Sequence, residues 1–211
     1  MVQRNAVNLL HVWLLLWLLP GNLGLAQNSD SRPVSVPSEV VEAPAVSIPD
    51  VVMTNEHGQR VRLLSDVIGD RVVVINTVFT TCTTICLPMG ANFGKLEKLL
   101  GNNAGRDVIL ISISIDAAND TPERLRAWAE QFGEGPGWTL LTGDKRDVDT
   151  ALKAMGVYTP DKLQHTSTIL IGRAKNGEWV RTNGLAKASA LAEIVKTLLT
   201  KGTRPAGTSS R

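Results

Sequence analysis

Cysteine is scarce in this chain of 211 residues, because Cys82 and Cys86 are the only two. Any disulfide within the chain and any thiolate metal site must therefore use this pair. Only three residues separate the two thiols, and a disulfide across so short a loop constrains the unfolded chain little. A disulfide between Cys82 and Cys86 would therefore stabilise the fold little, which favours a functional role for the two thiols.

An excess of charge of one sign is also absent. The formal net charge is +2, and residues 1–26 contain Arg4 and no acidic residue, so the remainder carries 21 basic against 20 acidic groups. This balance gives no support to the binding of nucleic acid or of an anionic membrane. A hydrophobic content of 43% is typical of a globular protein with a sizeable core.

Long apolar segments are also scarce, and the N-terminal one is shorter than a membrane span. Residues 1–26 resemble an export signal, with Arg4, the apolar segment Leu9–Leu19 and a small-x-small site at Gly24–Ala26. The segment is shorter than the ~20 residues that span a membrane, which favours a cleaved signal peptide; an uncleaved membrane anchor is the alternative. Both readings predict an exported protein. The residue directly after the cleavage site is Gln27 and not a cysteine, so lipid attachment is not indicated.

The rest of the chain predicts a linker, one domain and a tail. Residues 27–46 are polar with three prolines and predict a flexible linker. Residues 47–200 predict a single domain, and residues 201–211 predict a disordered tail.

Hydrophobic periodicity within the domain predicts a β-hairpin followed by β, α, β, α, β, α, β, β and α. The predicted strands are 51–53, 60–63, 72–79, 108–115, 138–141, 168–171 and 178–182, and the predicted helices are 89–100, 122–132, 147–155 and 188–199. Strands that alternate with helices imply parallel pairing. The order resembles a thioredoxin-like α/β fold, a central mixed sheet flanked by helices, with an extra N-terminal β-hairpin.

The prolines and turns around the cysteine pair predict where each thiol lies. Pro88 fits only the first turn of a helix, so the helix begins within residues 84–87. Cys82 then lies in the preceding, more exposed loop, and Cys86 lies at the helix N-terminus. The helix dipole is expected to stabilise thiolate there and to lower the thiol pKa.

His165 is the third candidate for this site. It precedes the predicted strand at Thr168, in the loop that faces the cysteine pair in thioredoxin-like enzymes and usually carries a cis-proline; Ser167 stands at that position here. Two thiolates and one imidazole suit trigonal Cu(I), whereas tetrahedral Zn²⁺ needs a fourth ligand. A buried histidine with no ligand role is the competing interpretation of His165.

Other candidate side chains have simpler explanations. His57 is expected to be exposed in a turn, and Met89 is expected to pack in the core. Asp116 and Asp120 follow the C-terminal end of a strand, where functional groups gather in α/β folds. We expect Asp120 to support the following helix start. A peroxidase is disfavoured, because Arg71 lies at the wrong end of the strand before the cysteines.

Several motifs together resemble the Sco/SenC copper proteins. They are Val78–Cys86 with its Cys-x-x-x-Cys pattern, Ile111–Asp116, Asn119–Glu123, Trp138–Gly143 and His165, all in family order. Leu87 and Ala117 stand where the family often has proline, and the segment from Gly156 to His165 is short.

This resemblance implies a copper protein that faces the periplasm (or the mitochondrial intermembrane space) and aids assembly of the copper centre of cytochrome c oxidase. It implies Cys82, Cys86 and His165 as copper ligands. The implied partners are an apo copper acceptor such as oxidase subunit II, and a copper donor or a thiol reductant.

Two functions remain open at this level. The first is a metallochaperone that holds Cu(I), with Cu(II) as a second state, and is not an enzyme. The second is a thiol–disulfide oxidoreductase in which Cys82 attacks and Cys86 resolves. Both functions use the same pair of thiols.

Overall fold

A computed structural model describes residues 41–42 and 46–202, and the described residues belong to one compact unit. The predicted leader, most of the predicted linker and nearly all of the predicted tail lie outside them. Within the predicted linker, Val41–Glu42 form a short strand. No helix among the described residues has the length and apolar character needed to cross a membrane.

Eight strands form one mixed sheet in the order β1-β8-β7-β4-β5-β6-β2-β3. The strands are β1 (Val41–Glu42), β2 (Val52–Asn55), β3 (Arg60–Arg62), β4 (Val72–Val78), β5 (Val108–Ser114), β6 (Trp138–Thr142), β7 (Thr168–Arg173) and β8 (Glu178–Asn183). The helices are α1 (Cys86–Leu100), α2 (Pro122–Glu130), α3 (Lys145–Ala154) and α4 (Ala188–Gly202). Strands β4, β5 and β6 pair in parallel, and the remaining pairs are antiparallel.

This arrangement confirms the predicted fold class, including the N-terminal hairpin β2–β3, which joins the sheet through β6. The ends of some elements differ from prediction. Helix α3 begins two residues early because the Asp144 side chain accepts a hydrogen bond from Arg146 N–H and caps it. The β7–β8 connection is wider than a two-residue turn: Ala174–Asn176 form a 3₁₀ turn before Gly177, which adopts φ +65°.

Strand β4 is buried along its whole length, because the sheet is covered on both faces. Val74 and Val78 point into a core shared with α1, α2 and α4. Val73 and Ile75 point into a second core, which includes α3 residues and the π-helical turn Leu63–Ile68. The two cores hold β4 rigidly, and β4 delivers the chain to the cysteine loop.

Two glycines set how closely α1 approaches the end of α2. A Cβ atom on Gly90 would lie 2.5 Å from the Phe132 ring, and one on Gly94 would lie 2.3 Å from the Phe132 carbonyl oxygen. The obstacle at Gly94 is backbone, which cannot rotate away as a side chain can. The position of α1, and hence of Cys86 at its first residue, therefore depends on glycine at position 94.

We predict that Gly94→Ala destabilises the protein by about 1–3 kcal/mol through overpacking. Helix propensity alone would favour alanine by about 1 kcal/mol, so a loss of stability isolates the steric effect. Urea unfolding measures the change, with the exposed Lys95→Ala in the same helix as control. A Gly94→Ala protein as stable as the wild type would show that α1 can move away from Phe132 freely.

Candidate metal and thiol site

The cysteine loop turns tightly after β4. The Cys82 N–H donates to the Phe79 carbonyl over 3.0 Å, which returns the chain toward the sheet edge. Cys86 is the first residue of α1, and Pro88 occupies the third position, where its missing N–H costs no helical hydrogen bond. The predicted helix start is confirmed.

Both thiols are free and buried. Cys82 is 6% exposed and Cys86 is fully buried. As predicted, Cys82 lies in the more exposed loop, in which Thr81, Thr83 and Thr84 are exposed, although its own side chain is buried. The Thr84 hydroxyl lies 3.6 Å from the Cys82 sulfur. The cause of the burial is packing: both side chains belong to the core that α1, α2 and α4 share.

The two thiols differ in acidity. Burial acts to raise the pKa of Cys82, but hydrogen bonds from the Cys86 thiol and from the Cys86 and Thr84 backbone outweigh it and leave that pKa lowered. Burial, together with donation of its own proton to Cys82, raises the pKa of Cys86 to about 12. The predicted lowering of the Cys86 pKa by the helix dipole is therefore wrong, because desolvation dominates at a fully buried thiol.

His165 lies beside the cysteine pair, although it is 79 positions after Cys86 in the sequence. It follows the 3₁₀ turn Lys162–Gln164, and its Nδ1 lies 2.8 Å from the Lys162 carbonyl. A carbonyl only accepts, so Nδ1 carries a proton, and in the neutral imidazole Nε2 then presents its lone pair. That Nε2 lies 3.8 Å from the Cys86 sulfur. The Phe79 ring packs edge-on against the imidazole at 5.3 Å between centroids.

An ion pair fastens the turn that carries His165. The Lys162 ammonium lies 2.5 Å from a carboxylate oxygen of Asp116, whose other oxygen accepts a hydrogen bond from the Asn119 amide. The ammonium and that amide are causes of the lowered pKa of Asp116, which burial alone would raise. Asp116 thereby links the end of β5 to the histidine loop.

Asp120 has a different role from the one expected. Thr121, not Asp120, caps α2 by accepting a hydrogen bond from Arg124 N–H. The Asp120 carboxylate is buried and accepts hydrogen bonds from the Thr80 hydroxyl over 2.6 Å and from the Ser114 hydroxyl over 2.7 Å. It fixes the start of the cysteine loop to β5. The only sequence signal for this brace was an acid beyond the end of a buried strand.

The structure confirms the predicted positions of His57 in an exposed turn and Met89 in the core. His57 is exposed beside Glu56, and Met89 is fully buried. No cis peptide bond occurs among the described residues, and Ser167 keeps an ordinary trans bond. In residues 46–202, no three His, Cys, Asp or Glu side chains are arranged to enclose a metal ion in this conformation.

The fold and the site define a thioredoxin-like protein with a buried thiol pair beside an imidazole. The profile of the SCO1/SenC family matches residues 44–200. The chain therefore belongs to the SCO1/SenC family. A curated relative, the SCO1 protein homolog of Bacillus subtilis (strain 168), is 37% identical over 90 residues; the match spans 42% of this chain and 45% of that relative's length.

Solved structures agree with this assignment. A SCO1/SenC family lipoprotein from Bacillus anthracis str. Ames is 27% identical, with a TM-score of 0.62 over 74% of this chain and 96% of that one. BsSco, described as having a disulfide switch and as a member of the Sco family of cytochrome c oxidase assembly proteins, is 25% identical, with a TM-score of 0.62 over 76% and 98%. Yeast Sco1 with copper bound shares the fold at 21% identity, with a TM-score of 0.62 over 77% and 92%.

The difference in acidity predicts unequal alkylation of the two thiols. At pH 8 we expect iodoacetamide to modify Cys82, whose pKa is lowered, and to spare Cys86, whose pKa is raised to about 12. Thiolate, and not thiol, is the reactive form. Mass spectrometry of peptides from briefly treated, reduced protein measures both sites. Equal labelling of the two cysteines in folded protein would contradict the proton arrangement described here.

Proposed function

We propose that this protein is an exported copper metallochaperone that binds copper through Cys82, Cys86 and His165 and delivers it to an apo acceptor. Membership of the SCO1/SenC family supports copper as the cargo, because relatives with the same fold have been solved with copper bound. The predicted leader supports export to the periplasm, with a membrane tether if the leader is retained. The proposed acceptor is a copper-accepting protein such as cytochrome c oxidase subunit II.

The observation that carries this proposal is the direction of the His165 ring. Its Nδ1 donates to the Lys162 carbonyl, and its Nε2 faces the Cys86 sulfur at 3.8 Å. Histidine ligands in metal sites commonly hold their second ring nitrogen in this way, which fixes the tautomer that binds metal.

The donor set fits Cu(I) by its chemistry. Two thiolates and one imidazole are soft ligands, and Cu(I) accepts three of them. Binding requires both cysteines as thiolates, so the ion must displace any proton that either thiol carries, including the one that Cys86 donates to Cys82. The Cys86 proton has two acceptors nearby, the Cys82 sulfur and the His165 Nε2, and both become ligands when it leaves.

We predict that reduced wild-type protein binds one Cu(I) per chain and that His165→Ala weakens binding about tenfold or more, because one of three ligands is lost. Anaerobic titration against a chromophoric Cu(I) chelator measures the affinity. X-ray absorption of the loaded wild type is expected to show two sulfur donors and one nitrogen donor.

The matched control is His57→Ala, which removes the exposed histidine of the β2–β3 turn and should bind copper as the wild type does. If His165→Ala bound copper with undiminished affinity, or if the loaded wild type lacked a nitrogen ligand, the proposed site would be wrong.

The thiol–disulfide oxidoreductase is the second candidate, and the unequal acidity of the two thiols favours it. Cys82, with its lowered pKa, is the nucleophile that attacks a substrate disulfide, and Cys86 keeps its proton until it resolves the mixed disulfide. Electrons pass from the dithiol to the substrate, which leaves a Cys82–Cys86 disulfide. The disulfide switch described for BsSco is consistent with such a cycle.

We predict that Cys86→Ser traps a mixed disulfide between Cys82 and a model disulfide substrate, because the resolving thiol is gone. The Cys82→Ser protein should trap little, since Cys86 is buried and its pKa is raised. Non-reducing electrophoresis with a copper chelator present measures both. Equal trapping by the two variants would remove the basis for this candidate, and activity retained in His165→Ala would separate it from copper binding.

A further inference from the structure

Exposed leucines are concentrated around the site. Among the described residues, four large hydrophobic side chains are exposed. Three of them lie on segments that carry Cys86 or His165, or on a segment hydrogen-bonded to one of these. Leu87 is 38% exposed, Leu163 78% and Leu185 52%. The fourth, Leu99, lies twelve residues further along α1 from Leu87, about 18 Å away at the helical rise. We call Leu87, Leu163 and Leu185 the leucine rim.

Each leucine of the rim is attached to the site by a defined contact. Leu87 directly follows Cys86 in α1. Leu163 lies in the 3₁₀ turn whose first carbonyl holds His165. Leu185 follows Gly184, whose N–H donates to the Ser167 carbonyl, two residues after His165. A Cβ on Gly184 would lie 2.9 Å from the Met89 sulfur, so this third segment lies against the first turn of α1.

The same three segments carry almost no charge. Residues 72–94, 163–172 and 182–186 contain no Asp, Glu, Lys or Arg. Of the charged side chains beside these segments, the Asp120 carboxylate is buried and hydrogen-bonded to Thr80 and Ser114, and Lys162 and Asp116 neutralise each other over 2.5 Å. Further charged residues flank the segments without lying in them, including Lys95, Asp161, Arg173, Arg181 and Lys187. A charged partner segment would lose hydration here and find no opposite charge in return.

We propose that the leucine rim docks an uncharged, apolar segment of a partner protein that carries a cysteine. This rests on the proposed function, in which the buried sulfurs exchange copper or electrons with a partner's thiol. Cys82 is 6% exposed, so a partner sulfur approaches it only if its own chain lies closely across the surrounding surface. The leucines of the rim lie on the same segments as Cys86 and His165, or on the segment bonded to them, and supply the contact area for that approach.

The test uses three synthetic peptides of equal length, each with one cysteine held as a mixed disulfide with thionitrobenzoate. They differ in carrying leucine, glutamate or lysine on both sides of the cysteine. The Cys82 thiolate attacks the peptide sulfur, a protein–peptide disulfide forms, and thionitrobenzoate leaves as a coloured thiolate. Reduced wild-type protein should react with the leucine peptide about tenfold faster than with either charged peptide, because leucine side chains are removed from water.

Variants locate the effect on the protein. Leu163→Asp and Leu185→Asp should each slow the leucine peptide about tenfold and leave the reaction with the small neutral hydroxyethyl disulfide unchanged. Leu87 is left intact because it adjoins Cys86. Leu99→Asp is the matched control, since it introduces the same charge at an exposed leucine on the far part of α1, and it should react as the wild type does.

Several results would overturn this inference. They are equal rates for the three peptides, an equal effect of Leu99→Asp, or a rim whose substitution converts a dimer to a monomer in sedimentation, which would assign the face to a second copy of the chain. Copper titration of the same variants keeps the proposals apart. Wild-type protein that binds no copper refutes the metallochaperone, whereas variants that bind copper normally and show no loss of peptide preference refute the docking face.

Discussion

The antiparallel pairing of β7 with β4 is the constraint on which the site depends. Asn76 near the end of β4 lies opposite Ile169 near the start of β7, so the chain entering β7 arrives where the chain leaving β4 turns into the cysteine loop. Residues 79 positions apart, Cys86 and His165, meet for this reason. The parallel partner β5 ends at the same edge and contributes the side chains that hold both loops.

Those two loops are held by buried carboxylates and not by apolar packing alone. Asp120 ties the cysteine loop to Ser114, and Asp116 ties the histidine loop through Lys162. A buried carboxylate is costly unless its oxygens are satisfied, and each of these accepts several hydrogen bonds. Hydrogen bonds are directional, so these satisfied carboxylates fix the positions of the two loops more narrowly than leucine side chains in the same places would.

Much of the fold could be predicted from the sequence, because the local patterns of apolar residues, prolines and turns agree with the elements that form. The β-branched run of β4 and the proline at position 88 placed the strand and the helix start correctly. The position of His165 followed from its place before β7. The acidity of Cys86 was predicted in the wrong direction, because a dipole can be read from the helix start alone whereas desolvation depends on which distant helices cover the thiol. The Asp120 brace was missed for the same reason: its partners are distant in sequence, with Thr80 in the turn after β4 and Ser114 at the end of β5.

The three proposed ligands differ in how they are anchored. The sulfurs belong to a turn and a helix embedded in the core, while the imidazole sits on a short turn held by a partly exposed ion pair, in which Lys162 is 37% exposed. Salt weakens such pairs and leaves buried packing almost untouched. The imidazole nitrogen of His165 is thus the least firmly held of the three proposed ligands. If copper binds as proposed, we expect its imidazole ligand to be released first, which would leave the ion held by the two sulfurs and open to capture by a competing thiol.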